Sequence, residues 1–353
     1  MRSEISVAVV GAGYWGVNLL RVIQATDGMW LRTVCDEQPD ILQQVKTRYP
    51  QVALTPSYEQ VLCDPNIEAV FLATPPATHY QLACAALEAG KHVWVEKPLA
   101  LAYDEGRKLV ALAQERQRRL FVDETFVYDP LLAQARTLIT TGDLGKIYHV
   151  SLERTGMGRI RRDSNVWWNS APHDLSILHY LLDTPALRVS ATGHAFLQPG
   201  IEDVVWTTLH LAGDISAHVY LSWLCPEKKA TVMVVGEHGM LGYEGRFGQR
   251  RLTRYSYRLG QIPEAVPEAL ARANLIPIEK YEVIEEITED RCEPLALACA
   301  AFRESILTGQ PAPSSGEFSL RTVAALDAGA RSLTQQGQWN TVPDASPSAG
   351  SCP

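Results

Sequence analysis

Six short apolar runs punctuate the first 122 residues, at 5–10, 31–35, 52–54, 69–73, 92–95 and 120–122. Each has the length of a buried strand rather than of a buried helix. Between them the spacing turns helical, at 17–24, 39–48, 58–62, 79–89 and 103–117. Strand–helix alternation of this kind predicts an α/β domain built on a parallel, doubly wound sheet. The pattern changes after Asp123. A helix is expected at 130–141, stopped by Gly142 and Gly145, and then strands dominate at 147–155, 187–196, 203–211, 215–224, 229–236 and 239–243. Apolar and polar residues alternate from Val204 to His210, so this sheet has one buried and one polar face. A helix with Pro172 in its first turn runs on through Leu182, and two more are expected at 293–308 and 317–335. Residues 245–290, polar and broken by three prolines, read as a flap or excursion. The tail 341–353, rich in Pro and Ser, reads as loose. The domains expected are 1–122 and 123–340.

Composition narrows the partners. The 353 residues are 46% hydrophobic and 20% charged, which is ordinary for a globular protein with two domains. A net charge of −8 without a broad basic face argues against nucleic acid. Arginines do cluster locally, at 159, 161 and 162 and again at 246, 250, 251 and 254. Such clusters suit a single phosphate or carboxylate, or a solvated loop. The seven cysteines are odd in number and include no C-x-x-C pair, which favours a reducing compartment and no metal site. Neither a signal-peptide pattern nor an apolar run of the ~20 residues that span a bilayer is present, so a cytoplasmic protein with no membrane partner is expected.

The first strand runs directly into Gly11-Ala12-Gly13-Tyr14-Trp15-Gly16 and then a helix. This is G-x-G-x-x-G in the setting that gives it meaning. Gly11 permits a tight turn, Gly13 lets the backbone approach a pyrophosphate, and Gly16 allows close packing of the helix. The second strand ends on Asp36, whose carboxylate can accept the ribose hydroxyls of NAD. Glu37 follows, and no cation appears before Lys46, so a 2′-phosphate meets negative charge and NAD is favoured over NADP. The fourth run ends in Thr74-Pro75-Pro76-Ala77-Thr78-His79, a stiff turn at a strand's carboxyl end. The fifth ends in Glu96-Lys97-Pro98, which delivers a lysine to the crevice where parallel sheets bind ligands. A buried lysine titrates readily and serves as acid, base or polarising cation. Farther on, Asn169 and His173 stand four residues apart on one predicted helix face, where an imidazole can act as general base and an amide can orient it or a substrate.

Together the glycine loop, Ala73 to His79, Glu96-Lys97-Pro98 and the helix from Asn169 resemble the Gfo/Idh/MocA oxidoreductases. The likeness covers roughly residues 3–335. It implies a Rossmann domain joined to an α+β domain with a large, mostly antiparallel open sheet, and hydride transfer between a nicotinamide and a sugar or cyclitol carbinol. Lys97 and His173 then fall at the catalytic positions, and a cis bond is implied between Lys97 and Pro98. Cofactor contacts are expected from Gly11, Gly13, Tyr14, Trp15, Gly16, Asp36, Thr74, Pro75, His79, Glu96 and Lys97. Asn169 stands where the family has aspartate and is assigned to substrate binding with Arg161 and Arg162. The Trp167 to Asp174 run looks closest to members acting on nucleotide-linked sugars. A ketosugar reductase of deoxysugar assembly, a cyclitol dehydrogenase and a catalytically silent NAD-binding sensor remain open. A homodimer or homotetramer is expected, packed through a sheet face carrying Val205, Trp206, Val219 and Trp223.

Overall fold

A computed structural model describes residues 4–158, 160–246, 249–259, 278–287 and 292–345. The first strands and helices follow the expected alternation. They are β1 (Ile5–Val10), α1 (Gly16–Ala25), β2 (Met29–Cys35), α2 (Pro39–Arg48), β3 (Ala53–Thr55) and α3 (Tyr58–Cys63), then β4 (Ala69–Leu72), α4 (Pro76–Glu88), β5 (His92–Val95), α5 (Tyr103–Glu115) and β6 (Leu120–Val122). Local chemistry sets their ends: Pro39 and Pro76 open helices at positions that need no N–H, and Asp104 and Glu105 complement the start of α5. The six strands are all parallel, in the order β3-β2-β1-β4-β5-β6. Strand order reverses between β1 and β4, and ligands bind outside the carboxyl ends at such a point.

The rest of the chain supplies α6 (Pro130–Thr140), β7 (Ile147–Thr155), α7 (Val166–Leu182), β8 (Ala186–His194), β9 (Val204–Leu211), β10 (Ile215–Ser222), β11 (Lys229–Gly236), β12 (Gly239–Arg246), β13 (Gln249–Leu259) and β14 (Ile278–Ile287). It ends with α8 (Pro294–Thr308), α9 (Gly316–Thr334) and β15 (Asn340–Thr341). Nine strands form one sheet, β14-β13-β12-β11-β7-β10-β9-β8-β15. Among the described strands of this sheet only the β7–β10 pair is parallel.

Contacts divide the chain into two compact units without a single cut. One comprises the described residues up to 129 with 292–327 and 343–345; the other comprises those from 130 to 287 with 328–342. In the first unit α8 returns to the parallel sheet. Its Phe302, fully buried, lies 5.4, 5.7 and 5.2 Å by ring centroid from Phe71, Trp94 and Phe121. Burying such aromatic surface contributes about 1.5–3 kcal/mol per side chain.

Four expectations change. Residues 249–259 and 278–287 are not an excursion but β13 and β14, and 260–277 lie outside the described residues. Their polarity reflects ion pairs across the strands, Arg251 with Glu286 and Arg254 with Glu285, each 3.8 Å. Helix α7 starts at Val166, capped by the Asn165 side chain accepting from Trp168 N at 3.1 Å, so Pro172 lies inside the helix. The tail is anchored as far as Ala345: β15 pairs with β8, and Val342 N donates to Leu187 O, while 346–353 lie outside the described residues. Finally, Val205, Val219 and Trp223 do not share a face with Trp206. The strand period of two buries the first three and leaves Trp206 47% exposed on the open face.

Candidate active site

Five strand ends bring the motifs of the first unit to one edge of its sheet. Gly11 leaves β1 with φ +86°, and a Cβ there would stand 2.7 Å from Ala73 O. Gly16 is equally constrained, because a Cβ would stand 2.1 Å from Gly11 O. These two glycines shape the loop. Gly13 differs: a side chain there meets no protein atom within 4 Å, which leaves the open approach a pyrophosphate needs. Helix α1 begins at this loop without a side-chain cap or an acid in its first turn, so its positive end faces no acid of its own that would oppose an anion. Tyr14 is 66% exposed, whereas Trp15 turns inward and donates from Nε1 to Asp123 Oδ2 at 3.1 Å.

At the end of β2, Asp36 accepts from Ala12 N at 2.8 Å through Oδ2 and from Gln38 N at 2.9 Å through Oδ1. It therefore holds the glycine loop, and each carboxylate oxygen keeps a lone pair for a ribose hydroxyl. Thr74 and Pro75 follow β4, the first half-buried and the second exposed. His79 is fully buried; its Nδ1 lies 2.8 Å from Pro98 O and its Nε2 2.9 Å from Thr74 O. Burial pushes its pKa down, against the pull of the two carbonyls. The ring ties the turn after β4 to the turn after β5, and its path to a cofactor runs through Thr74 and Pro98.

Lys97 follows β5, half-buried between buried Glu96 and buried Pro98, and the Lys97-Pro98 bond is cis. Burial and neighbouring Asp123 push the Glu96 carboxyl well above the usual carboxylate range. Glu96 Oε1 is buried without a hydrogen-bond partner. Asp123, at the end of β6, is 1% exposed. Sequence reading passed over it, because its partners Trp15 and Glu96 lie 108 and 27 positions away.

In the second unit, Asn169 and His173 lie on the half-buried stripe of α7, one turn apart. The next residue, Asp174, is 1% exposed and anchors the helix to β7: Arg154 donates to it from Nε at 2.9 Å and from Nη2 at 3.0 Å. Arg161 is held by Asp163 at 2.6 Å and Arg162 is exposed, while Arg159 lies outside the described residues. In the other arginine cluster, Arg251 and Arg254 are occupied by acids.

The glycine loop, the open approach at Gly13 and the acid after β2 fit an NAD dinucleotide. Comparison with known proteins agrees. Residues 5–124 match the family described as "Oxidoreductase family, NAD-binding Rossmann fold", and residues 132–242 match the "GFO/IDH/MocA C-terminal domain". The scyllo-inositol 2-dehydrogenase (NAD(+)) of Bacillus subtilis (strain 168) is 28% identical over 208 residues, 57% of this chain and 61% of that protein. The chain spans between half and about three fifths of the length of several curated relatives it matches. Two solved structures share the fold. UDP-N-acetylglucosamine 3-dehydrogenase GnnA from Acidithiobacillus ferrooxidans has a TM-score of 0.79 at 21% identity, over 95% of this chain and 99% of its own. The WlbA dehydrogenase from Bordetella pertussis, in complex with NADH and UDP-GlcNAcA, has a TM-score of 0.76 at 22% identity, over 96% and 99%. With an NAD-binding Rossmann fold at 5–124 and the matching C-terminal domain after it, the chain belongs to the Gfo/Idh/MocA oxidoreductase family.

Proposed function

We propose that the protein is an NAD-dependent oxidoreductase that moves a hydride between the nicotinamide and a hydroxyl-bearing carbon of a sugar, C3 of a nucleotide-linked sugar being the leading candidate. The observation that carries this reading is Lys97, half-buried at the same row of strand ends as the glycine loop. Oxidising an alcohol removes a hydride from carbon and a proton from oxygen, leaving a ketone. NAD, when bound, accepts the hydride. The proton needs a base from the chain. A lysine beside a cationic nicotinamide gives up its own proton more easily, because like charge and burial both disfavour the ammonium. His173 has a reference pKa already near neutrality. Asn169 can hydrogen-bond a hydroxyl but cannot take its proton, so it orients substrate or imidazole. Arg161 and Arg162 are assigned to a phosphate or carboxylate, for which Arg161 exchanges its Asp163 partner.

The test is NADH formation with UDP-N-acetylglucosamine, UDP-GlcNAcA and inositols. Turnover of a nucleotide sugar, lost in Lys97→Ala, is expected. Turnover of inositols alone supports the cyclitol reading that the 28% identical relative favours. NADH oxidation by a ketosugar alone reverses the direction and supports the reductase. NAD binding with no turnover of any candidate overturns the enzyme reading in favour of a sensor.

We also propose self-association through the open face of the nine-stranded sheet and a cytoplasmic site of action. Trp206 stacks on Tyr220 at 5.4 Å there, with His194 and the 66% exposed Phe196 alongside, and a concavity of about 740 Å³ lies on the same face. Exposed aromatic surface of this kind marks interfaces. None of the six described cysteines is joined in a disulfide, which is compatible with a reducing compartment. Among the described residues no helix is long and apolar enough to cross a membrane. Light scattering that reports a monomer at micromolar concentration counts against the assembly.

A further inference from the structure

The carboxyl ends of β5 and β6 meet the glycine loop at a single buried point. Asp123 Oδ2 accepts from Trp15 Nε1 at 3.1 Å, and Oδ1 accepts from Thr125 Oγ1 at 2.8 Å. The backbone fixes both acids in place: Asp123 N donates to Val95 O at 2.8 Å, and Glu96 N donates to Leu72 O at 3.0 Å. The Asp123 N–H on Val95 O sets Glu96 and Asp123 side by side at neighbouring strand ends, 9% and 1% exposed, and Glu96 Oε1 is buried without a hydrogen-bond partner. Two carboxylates held side by side away from water repel if both ionise, which favours a single proton shared by the pair.

We propose that Glu96 and Asp123 form a one-proton carboxyl clasp that holds the glycine loop, through Trp15, against the strand end carrying Lys97. They are positioning residues: they act on NAD through the loop and on the reacting carbon through Lys97. The second role rests on the function proposed above, and the first rests on the Rossmann site alone. Loss of the shared proton places two like charges in contact with little water between them, which opens the clasp and slackens the loop. Cofactor affinity therefore falls as the pair ionises.

Four groups face the pair. The Lys97 cation favours ionised Glu96 and opposes the clasp. On α8, buried Cys299 has its thiol pushed well up by burial and by the two acids, so it stays neutral, and Arg21 with Glu293 flank it as an ion pair. Thr125 and Trp15 do not titrate in this range.

The experiment is calorimetric NAD binding to the full chain from mildly acidic to mildly alkaline pH, with no sugar present. The wild type should lose roughly tenfold in affinity toward alkaline pH, the scale of one charge-assisted hydrogen bond. Glu96→Gln keeps a neutral donor toward Asp123; it should bind within about threefold of wild type at neutral pH and show a flat profile. Glu96→Ala and Trp15→Phe should be weakened roughly tenfold at every pH. Lys97→Met should retain the alkaline loss. The proposal is overturned if Glu96→Gln retains that loss while Lys97→Met abolishes it, or if Trp15→Phe and Glu96→Gln both match the wild type throughout. A correct affinity pattern without sugar turnover sustains the clasp and sinks the substrate reading. Turnover with a flat wild-type profile does the reverse.

Discussion

Arg154→Ala offers a quantitative test of how α7 is held. Arg154 is 16% exposed, and its guanidinium fork meets a carboxylate that is only 1% exposed. In the variant, Asp174 keeps its burial and loses both charge-assisted bonds. An uncompensated buried charge costs about 3–5 kcal/mol. Asp174 can escape by taking a proton. Starting from the ordinary value of 3.8, the three-odd units to neutrality at about 1.4 kcal/mol each cap the penalty near 4 kcal/mol at about pH 7. At about pH 5 the cap drops to roughly 1.5 kcal/mol. The sign follows from burial, which already raises Asp174 in the native protein while Arg154 opposes it. Removing Arg154 raises it further, and a raised folded pKa gives stability that is lost as pH rises from the unfolded value toward the folded one. The deficit of Arg154→Ala should therefore grow between about pH 5 and about pH 7, reaching about 3–4 kcal/mol in equilibrium urea unfolding. Arg154→Met combined with Asp174→Leu should recover most of it, since an apolar pair removes the orphaned charge. A deficit under about 1 kcal/mol at neutral pH, or one insensitive to pH, would refute the reasoning.

Other perturbations separate shape from chemistry. Gly13→Ala should fold normally and lose NAD affinity, whereas Gly16→Ala should disrupt the loop itself, because its Cβ would meet Gly11 O; melting temperatures beside calorimetry distinguish the two. NAD should bind more tightly than NADP, since Asp36 and Glu37 confront a 2′-phosphate, and equal or tighter NADP binding in a fluorescence titration removes that assignment. Lys97→Ala and His173→Ala should lower turnover roughly 10²–10⁴-fold. Asn169→Ala should cost less and Asn169→Asp should retain activity with a shifted pH profile; if Asn169→Ala proved the most damaging while His173→Ala stayed active, the division of roles would be wrong.

The parallel sheet was legible because its signals are local. Four of the apolar runs lead straight into the residue that matters, so Gly11, Asp36, Thr74 and Lys97 could be read from their neighbours alone. The start of α7 was not, because Pro172 resembles a first-turn proline; the better signal was Asn165, a capping side chain three residues before the amide it accepts from. Strands β13 and β14 were hidden by charge. Arg251 and Arg254 look like a solvated loop until Glu244, Glu285 and Glu286 are set opposite them. Asp123 was the harder case, because an acid after a short apolar run is common, and only the folded chain brings Trp15 and Glu96 to it.

The return of α8 to the parallel sheet has a consequence for biosynthesis. Phe302 completes the aromatic cluster of Phe71, Trp94 and Phe121, and it is made about 180 residues after the last strand of that sheet. A ribosome that has already emitted the glycine loop, Asp36 and Lys97 has thus released a cofactor domain with its aromatic face bare. That face stays uncovered while β7 to β14 of the second sheet are synthesised. The nascent chain should therefore be a chaperone client through this interval, and NAD can be retained only after α8 emerges. A chain stopped before residue 292 would carry every cofactor motif and still lack the helix that closes the core beneath them.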